Sequence, residues 1–524
     1  MTHSLHKKVG IASMIMMGSV FSSRLIALFR EMTVAYIGGA KTPVDAYQAA
    51  FVFPEILNHI AASGFLSVTF IPIFAGYLAR NLEEDGWRIF NTILNTFGIL
   101  LLGLVAFGMI FTPELIHIAA PGRWEDQEFR NLAIRMTRII IPAQIFFFAG
   151  GLFMAVQFAK EKFLIPALAP LVYNLGIIGG GRFLGPYIGM EGFSWGVLAG
   201  AFLGNFLLQA WGAHRVGMTY RFNLNLRDPD LTRYIRLTLP LMVGLTMMFS
   251  IEIFIRFFGS YLPEGNISAL NYSRTILTIP VGLFGQAVGM ASFPFMAQLA
   301  ADHRIQEMNH LMNKALRYLS MVIPFSIVLI VVRHELVQIL FERGQFDASA
   351  TALTAPILAF LLPGAFALSA YTVVVRGYYA MQNTLFPAVF GSIAVLCSLP
   401  AYIYGMRQLG GQGVALAVSL SIIFQVVLLY ILWNRKTDNS ESSGVYHLYL
   451  KVILIGIPIG ALAEWIRRSW LSGTGTGGDL QALWICCIVG AGYCLLFIAL
   501  GYLLKVEEIK PLLQRFTGLL QKSS

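Results

Sequence analysis

Long apolar stretches alternate with short polar or basic turns along nearly the whole chain, and each stretch is about as long as a membrane is thick. A helix that crosses a hydrocarbon core of about 30 Å needs roughly 20 residues, and about fourteen stretches qualify. They begin near Val9, Ala46, Trp87, Phe129, Phe163, Gly192, Tyr234, Ile267, Leu311, Ala352, Leu385, Gly413, Tyr449 and Leu480. The pattern predicts an all-α polytopic membrane protein. Several of these helices carry breakers: Pro54 and Gly64 in the second, Pro280, Gly282, Gly285 and Gly289 in the eighth, Pro363 and Gly364 in the tenth. Membrane helices tolerate such residues as bending points, where neighbours or a water-filled cavity satisfy the released backbone groups, or as small contacts that let helices pack closely.

The punctuation repeats in order. Pro142, Ala149, Ala159 and Pro166 recur 221 positions later as Pro363, Ala370, Ala380 and Pro387. Pro72, Ala75, Asn91 and Leu94 recur at an offset of 222 as Pro294, Ala297, Asn313 and Leu316, and Glu114-Leu115 recurs as Glu335-Leu336. An ordered series in register marks an internal duplication. Because six helices separate equivalent positions, both copies enter the membrane in the same direction. Two lobes related by a pseudo-two-fold axis along the membrane normal are therefore expected, with a substrate site between them near the bilayer midplane. The chain then divides into an N-terminal six-helix lobe (1–213), a basic cytoplasmic connector (214–236), a C-terminal six-helix lobe (237–434), two additional transmembrane helices (435–504) and a cytoplasmic amphipathic tail (505–524). In that tail Ile509, Leu512, Leu513, Phe516, Leu519 and Leu520 recur at helical spacing among basic residues, which suits a helix lying in the headgroup layer or a frayed terminus.

Composition agrees: of 524 residues 57% are hydrophobic and only 12% charged, against about a quarter charged in soluble proteins. Lys7 and Lys8 precede an apolar run that resembles a signal peptide. That run is long, holds Arg24 and Arg30 and lacks a cleavage site, so it reads as a retained first helix. With the amino terminus cytoplasmic, the even-numbered loops collect most of the basic residues, including Lys160, Lys162, Arg215, Arg221, Arg227, Arg233 and Arg236, as the positive-inside rule requires. Both termini are expected in the cytoplasm. The net charge of +10 then reflects topology and anionic lipid headgroups, and no nucleic acid is implied. Cys397, Cys486, Cys487 and Cys494 lie in apolar helices without metal-ligand spacing and read as packing residues. No nucleotide-binding loop, metal cluster or nucleophile with its base is present in the sequence, so a transporter without cofactor is expected rather than an enzyme or an ATP-driven pump. An ion gradient, the membrane potential or the substrate gradient would supply the energy.

The candidate chemistry lies in charges within the apolar stretches. Each costs at least roughly 2.5–3.5 kcal/mol at the bilayer centre unless a partner or a cavity receives it. Five arginines qualify: Arg24 and Arg30 in the first helix, Arg256 in the seventh, Arg274 in the eighth and Arg376 in the tenth. Acidic residues at similar depth are fewer, namely Glu31, Asp45, Glu55 and Glu252. A cavity with excess guanidinium predicts an anionic substrate, because the planar fork binds phosphate oxygens in pairs and stays charged when desolvated. The alternative is that each arginine snorkels to an interface or pairs locally, as Arg256 would with Glu252 one turn earlier. Asp45 opens the second helix, where a carboxylate caps and complements the dipole or gates an arginine. Asn58 and His59 sit together in the second helix as cavity-lining or packed polar residues, the histidine being also a candidate for proton coupling.

The stretch Ser23-Arg24-Leu25-Ile26-Ala27-Leu28-Phe29-Arg30-Glu31, followed by Val44-Asp45-Ala46-Tyr47, Gly64-Phe65-Leu66-Ser67 and Phe70-Ile71-Pro72, resembles the MurJ (MviN) family. So do Leu340-Phe341-Glu342-Arg343-Gly344-Gln345-Phe346 and Arg376-Gly377-Tyr378-Tyr379-Ala380-Met381-Gln382-Asn383-Thr384 leading to Pro387. That family belongs to the multidrug, oligosaccharidyl-lipid and polysaccharide exporter superfamily. The resemblance implies a flippase of the bacterial cytoplasmic (inner) membrane that moves lipid II, the undecaprenyl-pyrophosphate-linked peptidoglycan precursor, to the outer leaflet by alternating access. Partners within the cell-wall synthesis machinery are implied as well. It also implies cavity roles for Arg24, Arg30, Asp45, Glu31 and Arg256, while the reading of membrane charges adds Arg274 as a further substrate-binding candidate and Asn58, His59 and Arg376, beside Glu31, as possible gating or cavity-lining positions. Two positions depart from the family pattern. Where members carry two adjacent arginines in the second helix this chain reads Pro54-Glu55-Ile56-Leu57-Asn58-His59, and the family arginine of the eighth helix aligns with Thr275, one position from Arg274. Rival readings are an exporter of another lipid-linked oligosaccharide, a drug exporter, or a membrane glycan ligase or polymerase using Arg333, His334, Glu335 and Asp347 of an outer loop.

Overall fold

A computed structural model describes residues 2–59, 65–246, 250–471, 478–506 and 508. The expected amphipathic tail falls almost wholly outside these residues. All regular secondary structure among them is helical, and the chain packs into two compact units. Unit 1 contains the residues up to Ser268 together with Arg343–Phe346, and unit 2 contains Ala269–Glu342 and the residues from Asp347 onward. Residues 237–268, which the repeat assigns to the second lobe, thus cluster with the first.

Unit 1 starts with α1 (Thr2–Gly38), α2 (Thr42–Ala50), α3 (Val52–Leu57), α4 (Phe65–Ala79) and α5 (Glu83–Ile110). It continues with α6 (Thr112–Ala119), α7 (Gln127–Ile140), α8 (Ala143–Ala159), α9 (Leu164–Phe183), α10 (Gly185–Ile188) and α11 (Glu191–Gly200), and ends with α12 (Leu208–Arg215), α13 (Pro229–Thr246) and α14 (Ser250–Gly259). The helix α7 shows how the sequence sets these elements. Asp126 accepts a hydrogen bond from the Phe129 amide as N-cap, and Phe129, Ala133, Met136, Thr137 and Ile140 form a buried stripe at helical spacing. The pair α9 and α11 packs through glycines: a Cβ on Gly176 would lie 2.5 Å from the Gly200 backbone, and one on Gly180 2.5 Å from that of Gly196. Removing the side chains lets the backbones approach where apolar transfer supplies no drive, as in other membrane helix pairs.

Unit 2 runs through α15 (Asn266–Pro280, from Ala269 on), α16 (Ala287–Ala301), α17 (Ile305–Leu319), α18 (Val322–Val331), α19 (Arg333–Phe341), α20 (Ala348–Leu361), α21 (Gly364–Ala380), α22 (Leu385–Thr437), α23 (Ser442–Ile466) and α24 (Asp479–Leu503). The long α22 is two helices folded at Gly410, whose φ of 59° and ψ of −132° are open only to glycine. Nine helices among the described residues are long and apolar enough to cross a membrane, and α20 with α21, bent by 46°, pass the same test only when taken together as one broken span. The sequence reading of about fourteen exceeds this because α22 covers two passages, and because α1, α2 to α4 and α13 to α14 are broken by turns, by charges or by residues outside the described set.

The duplication reaches the backbone. Left-handed residues recur in register at the same offsets: Asn81 with His303, Glu161 with Gln382, Gly189 with Gly410, and Gly217 with Asp438. The N-cap Asp126 of α7 likewise recurs as Asp347 of α20, which accepts from the Ala350 amide. A π-helical winding is found at Asn58 and His59 and again, 222 positions on, in Val281–Gln286. Both copies therefore loosen the same helix at equivalent positions of the repeat, where the sequence also concentrates proline and glycine.

Candidate functional site

The most organised membrane charge in unit 1 is Arg30. It lies one turn from the buried Val34 and Ala35 on α1, facing α9, where Pro170 interrupts the amide ladder and Asn174 follows a turn later. The Asn174 amide donates to the Pro170 carbonyl at 2.8 Å, which turns its oxygen toward Arg30, and Nη1 donates to that oxygen at 3.1 Å. Nε and Nη2 donate to Glu31 Oε1 at 3.2 and 2.6 Å. Glu31 is buried, whereas 27% of the Arg30 side chain stays exposed. Three of the five guanidinium N–H groups are thus held by the protein and the others have no acceptor among the described residues. The result is an oriented cation with spare donors at its open edge.

A second pair joins Glu55 of α3 to Arg256 of α14. Nη2 donates to Oε1 at 3.0 Å and Nη1 donates to Oε2, so the fork is bidentate. Arg256 is 5% exposed, and the Glu55 side chain keeps 28%. The local pairing with Glu252 that helix spacing suggests is replaced by a partner 201 residues away. Glu55 of the second helix therefore has a definite structural consequence, since it neutralises Arg256.

Asp45 is fully buried, and neither of its oxygens is spent on its own helix. Oδ2 accepts from the Gly265 amide at 2.7 Å, and Oδ1 accepts from the Ser268 amide at 2.8 Å and from the Ser268 hydroxyl. The expected capping role is real but serves the first turn of α15. In return Glu264 Oε1 accepts from the Thr42 amide at 2.6 Å, at the start of α2. The two helix starts, 222 residues apart in the repeat, each receive the other's carboxylate. Arg123 braces the arrangement, donating to Thr42 Oγ1 at 2.8 Å and to Asp126 Oδ2 at 2.7 Å and standing 3.5 Å from Asp45 Oδ2. Burial opposes ionisation of Asp126, yet the Phe129 amide and the Arg123 guanidinium hold its carboxyl below the usual range.

The remaining candidates are dispersed. Arg24 lies on an exposed part of α1, six residues and so about 9 Å and 120° from Arg30. Asn58 and His59 are half-buried at the π-helical winding after α3. In unit 2, Arg274 is half-buried on α15, and Arg376 on α21 has one nitrogen, Nη1, sealed from solvent with no acceptor among the described residues. The glycine at 289 makes room for it, because a Cβ there would lie 2.4 Å from that nitrogen. The acids considered for an enzyme are structurally engaged. Glu335 accepts from Arg467 Nη1 at 2.8 Å, Arg333 Nη2 donates to Glu464 at 2.9 Å, and Asp347 caps α20. Sequence reasoning missed Asn174, Arg123 and Glu264. Asn174 had a signal, a lone amide one turn after a mid-helix proline; the other two lie in loops and gain meaning only from contacts far along the chain.

Comparison with known proteins bears on the whole architecture. The family model described as "Lipid II flippase MurJ" matches residues 34–477. The probable lipid II flippase MurJ of Bdellovibrio bacteriovorus is 27% identical over 96% of this chain and 96% of its own length, and the lipid II flippase MurJ of Burkholderia cenocepacia is 24% identical over 90% and 93%. A solved lipid II flippase MurJ in an inward closed conformation superposes with a TM-score of 0.77 at 24% identity, covering 94% of this chain and 99% of that one. An inward-facing multidrug resistance MATE transporter of the MOP superfamily gives 0.65 at 14% identity, covering 79% and 94%, a likeness of fold.

Proposed function

Because this chain belongs to the lipid II flippase MurJ family, we propose that it is a lipid II flippase, carrying the undecaprenyl-pyrophosphate-linked precursor from the inner to the outer leaflet of the bacterial cytoplasmic membrane by alternating access. The observation that carries the reading is Arg30: a guanidinium oriented by Glu31 and Asn174 inside a membrane helix, with donors left for an anion. A pyrophosphate leaving water needs charged donors already in place, since reorienting solvent is absent at that depth. Arg30 meets this need, and Glu31 keeps the cation compensated while no substrate is bound. Arg24, on a different face of the same helix, would act on another part of the headgroup, while the polyprenyl tail stays in lipid. Transport needs no cofactor on this reading, and the coupling is to an ion gradient, the membrane potential or the substrate gradient. Both termini face the cytoplasm, basic loops contact anionic lipids, and cell-wall enzymes consume the product.

A second reading, export of a different lipid-linked oligosaccharide, is favoured by one observation: Glu55 neutralises Arg256, so this chain offers a reduced cationic surface. Reconstitution into proteoliposomes with lipid II and with a second undecaprenyl-pyrophosphate glycan separates the two, alongside rescue of cells depleted of their own lipid II flippase. Rescue together with lipid II flipping that is lost in Arg30→Ala supports the proposal. Flipping of the other glycan alone, or unimpaired lipid II flipping by a well-expressed Arg30→Ala variant, overturns it.

A further inference from the structure

The cavity on unit 2 where α17, the α22–α23 turn and the end of α24 meet has a volume of about 520 Å³ and is lined by His310, Asn313, Lys314, Arg317, Tyr318, Glu441 and Glu508. The Gln306 amide donates to the Thr437 carbonyl across the α17 side, and Lys451 Nζ donates to the Lys505 carbonyl across the α24 side. His310, Lys314 and Arg317 lie in the first turns of the apolar span Ile305–Val331, so the cavity sits at a span end. Tyr318 and Tyr446 lie 46% and 41% exposed beside it, as aromatic side chains do at the headgroup level.

The charges of this cavity are almost matched internally. His310 Nδ1 is 3.0 Å from Glu441 Oε2, and Arg317 Nε donates to Glu508 Oε1 at 2.6 Å. Two groups are left over. Lys314 makes no ion pair and Glu508 Oε2 is buried with no donor, both among the described residues. A buried carboxylate oxygen lacking a donor is costly. A spare cation and a spare acceptor across one cavity call for a dipolar ligand with an anion at one end and an N–H cation at the other. Asn313 is not available for this purpose, because Asn439 and Tyr430 occupy its amide.

We propose that this cavity binds the headgroup of a zwitterionic phospholipid, its phosphate on Lys314 and its primary ammonium on Glu508 and Glu441. The position at the span ends assigns the lipid, rather than a free phosphoamine, as the source, because the acyl chains continue along the apolar surface below. The site is separate from the transport charges and does not depend on which glycan is carried.

The test is lipid retention by the full-length purified protein, read by native mass spectrometry after equilibration with ethanolamine, choline and glycerol phospholipids of identical acyl chains. Ethanolamine lipid should be retained about tenfold over its choline analogue, which has no N–H to donate, as one hydrogen bond to a charged group provides. Glu508→Gln should bring that ratio toward one, and Glu441→Gln, which leaves the Arg317 pair intact, should lower it as well. Lys314→Gln should weaken all three lipids. Equal retention of ethanolamine and choline lipids by the unaltered protein, or an unchanged ethanolamine adduct in Lys314→Gln, overturns the proposal. An adduct with millimolar soluble phosphoethanolamine and none with any lipid would overturn the lipid as the source.

Discussion

At the scale of single residues, the membrane charges fall into two physical classes. Arg256 is spent on Glu55, whereas Arg30 is held but not saturated. For the first class the cost of breaking the pair is the informative quantity. Arg256→Met leaves the Glu55 carboxylate without its partner and should destabilise the detergent-solubilised protein by ~3–5 kcal/mol, while Glu55→Gln with Arg256→Met should restore most of that loss. Thermal unfolding of the two variants checks this, and equal melting of single and double variants would refute the pair as a structural unit. For the second class, Arg30→Lys should fold normally yet fail to transport, because a point charge cannot donate to Glu31 and Asn174 and still offer a fork to phosphate. The sequence revealed both arginines by their cost of burial. It could not reveal their partners, since Asn174 is 144 residues from Arg30 and Glu55 is 201 from Arg256, and helical periodicity carries no information at that range.

At the scale of elements, helix starts and turns carry testable contributions. Asp126→Ala and Asp347→Ala remove N-caps that recur in the repeat and should each cost ~1 kcal/mol. The Asp126 carboxyl is held below its ordinary value, so its contribution is complete above about pH 4 and fades only as pH falls through the lower folded value. A stability profile flat from pH 5 to 8 for the difference between Asp126→Ala and the parent is the expected outcome. Asp45→Asn should cost more than either cap, because a carboxylate shared by two amides and a hydroxyl is replaced by a group with a single acceptor oxygen. Turn positions give the opposite sign. Gln382 holds φ at 56°, where glycine is at ease, so Gln382→Gly should be neutral or stabilising, whereas Gly410→Ala should cost about 1–3 kcal/mol. Helix positions and breakers were readable from apolar run length and proline. The cross-capping of α2 and α15 was not, because Asp45 at a helix start looks like its own cap until the acceptor geometry is known.

At the scale of the molecule, the last two helices pose a clear question. The repeat marks α23 and α24 as additions without a counterpart, which invites the view that the duplicated core stands without them. Packing argues otherwise. Ile323 of α18 is buried in a cluster with Leu448, Val452, Ile455, Ile459, Tyr493 and Phe497, and Val331 and Val332 are buried against Ile485 and Val489. At one end of these helices Arg467 donates to both Glu335 and Glu464, and Glu464 also accepts from Arg333 and Arg468. Glu335 is 7% exposed, so removal of α23 would leave a buried carboxylate without its cation and expose the apolar face of α18. In a bilayer the apolar loss is small, because lipid replaces the lost side chains, and the ionic loss dominates. Truncation after Thr437 is therefore expected to insert but to melt well below the full chain, and Glu335→Gln within the truncated protein should recover part of the difference. Melting followed by size-exclusion chromatography measures both. A truncated protein as stable as the parent, with no response to Glu335→Gln, would mean that the extra helices are attached to the core without supporting it.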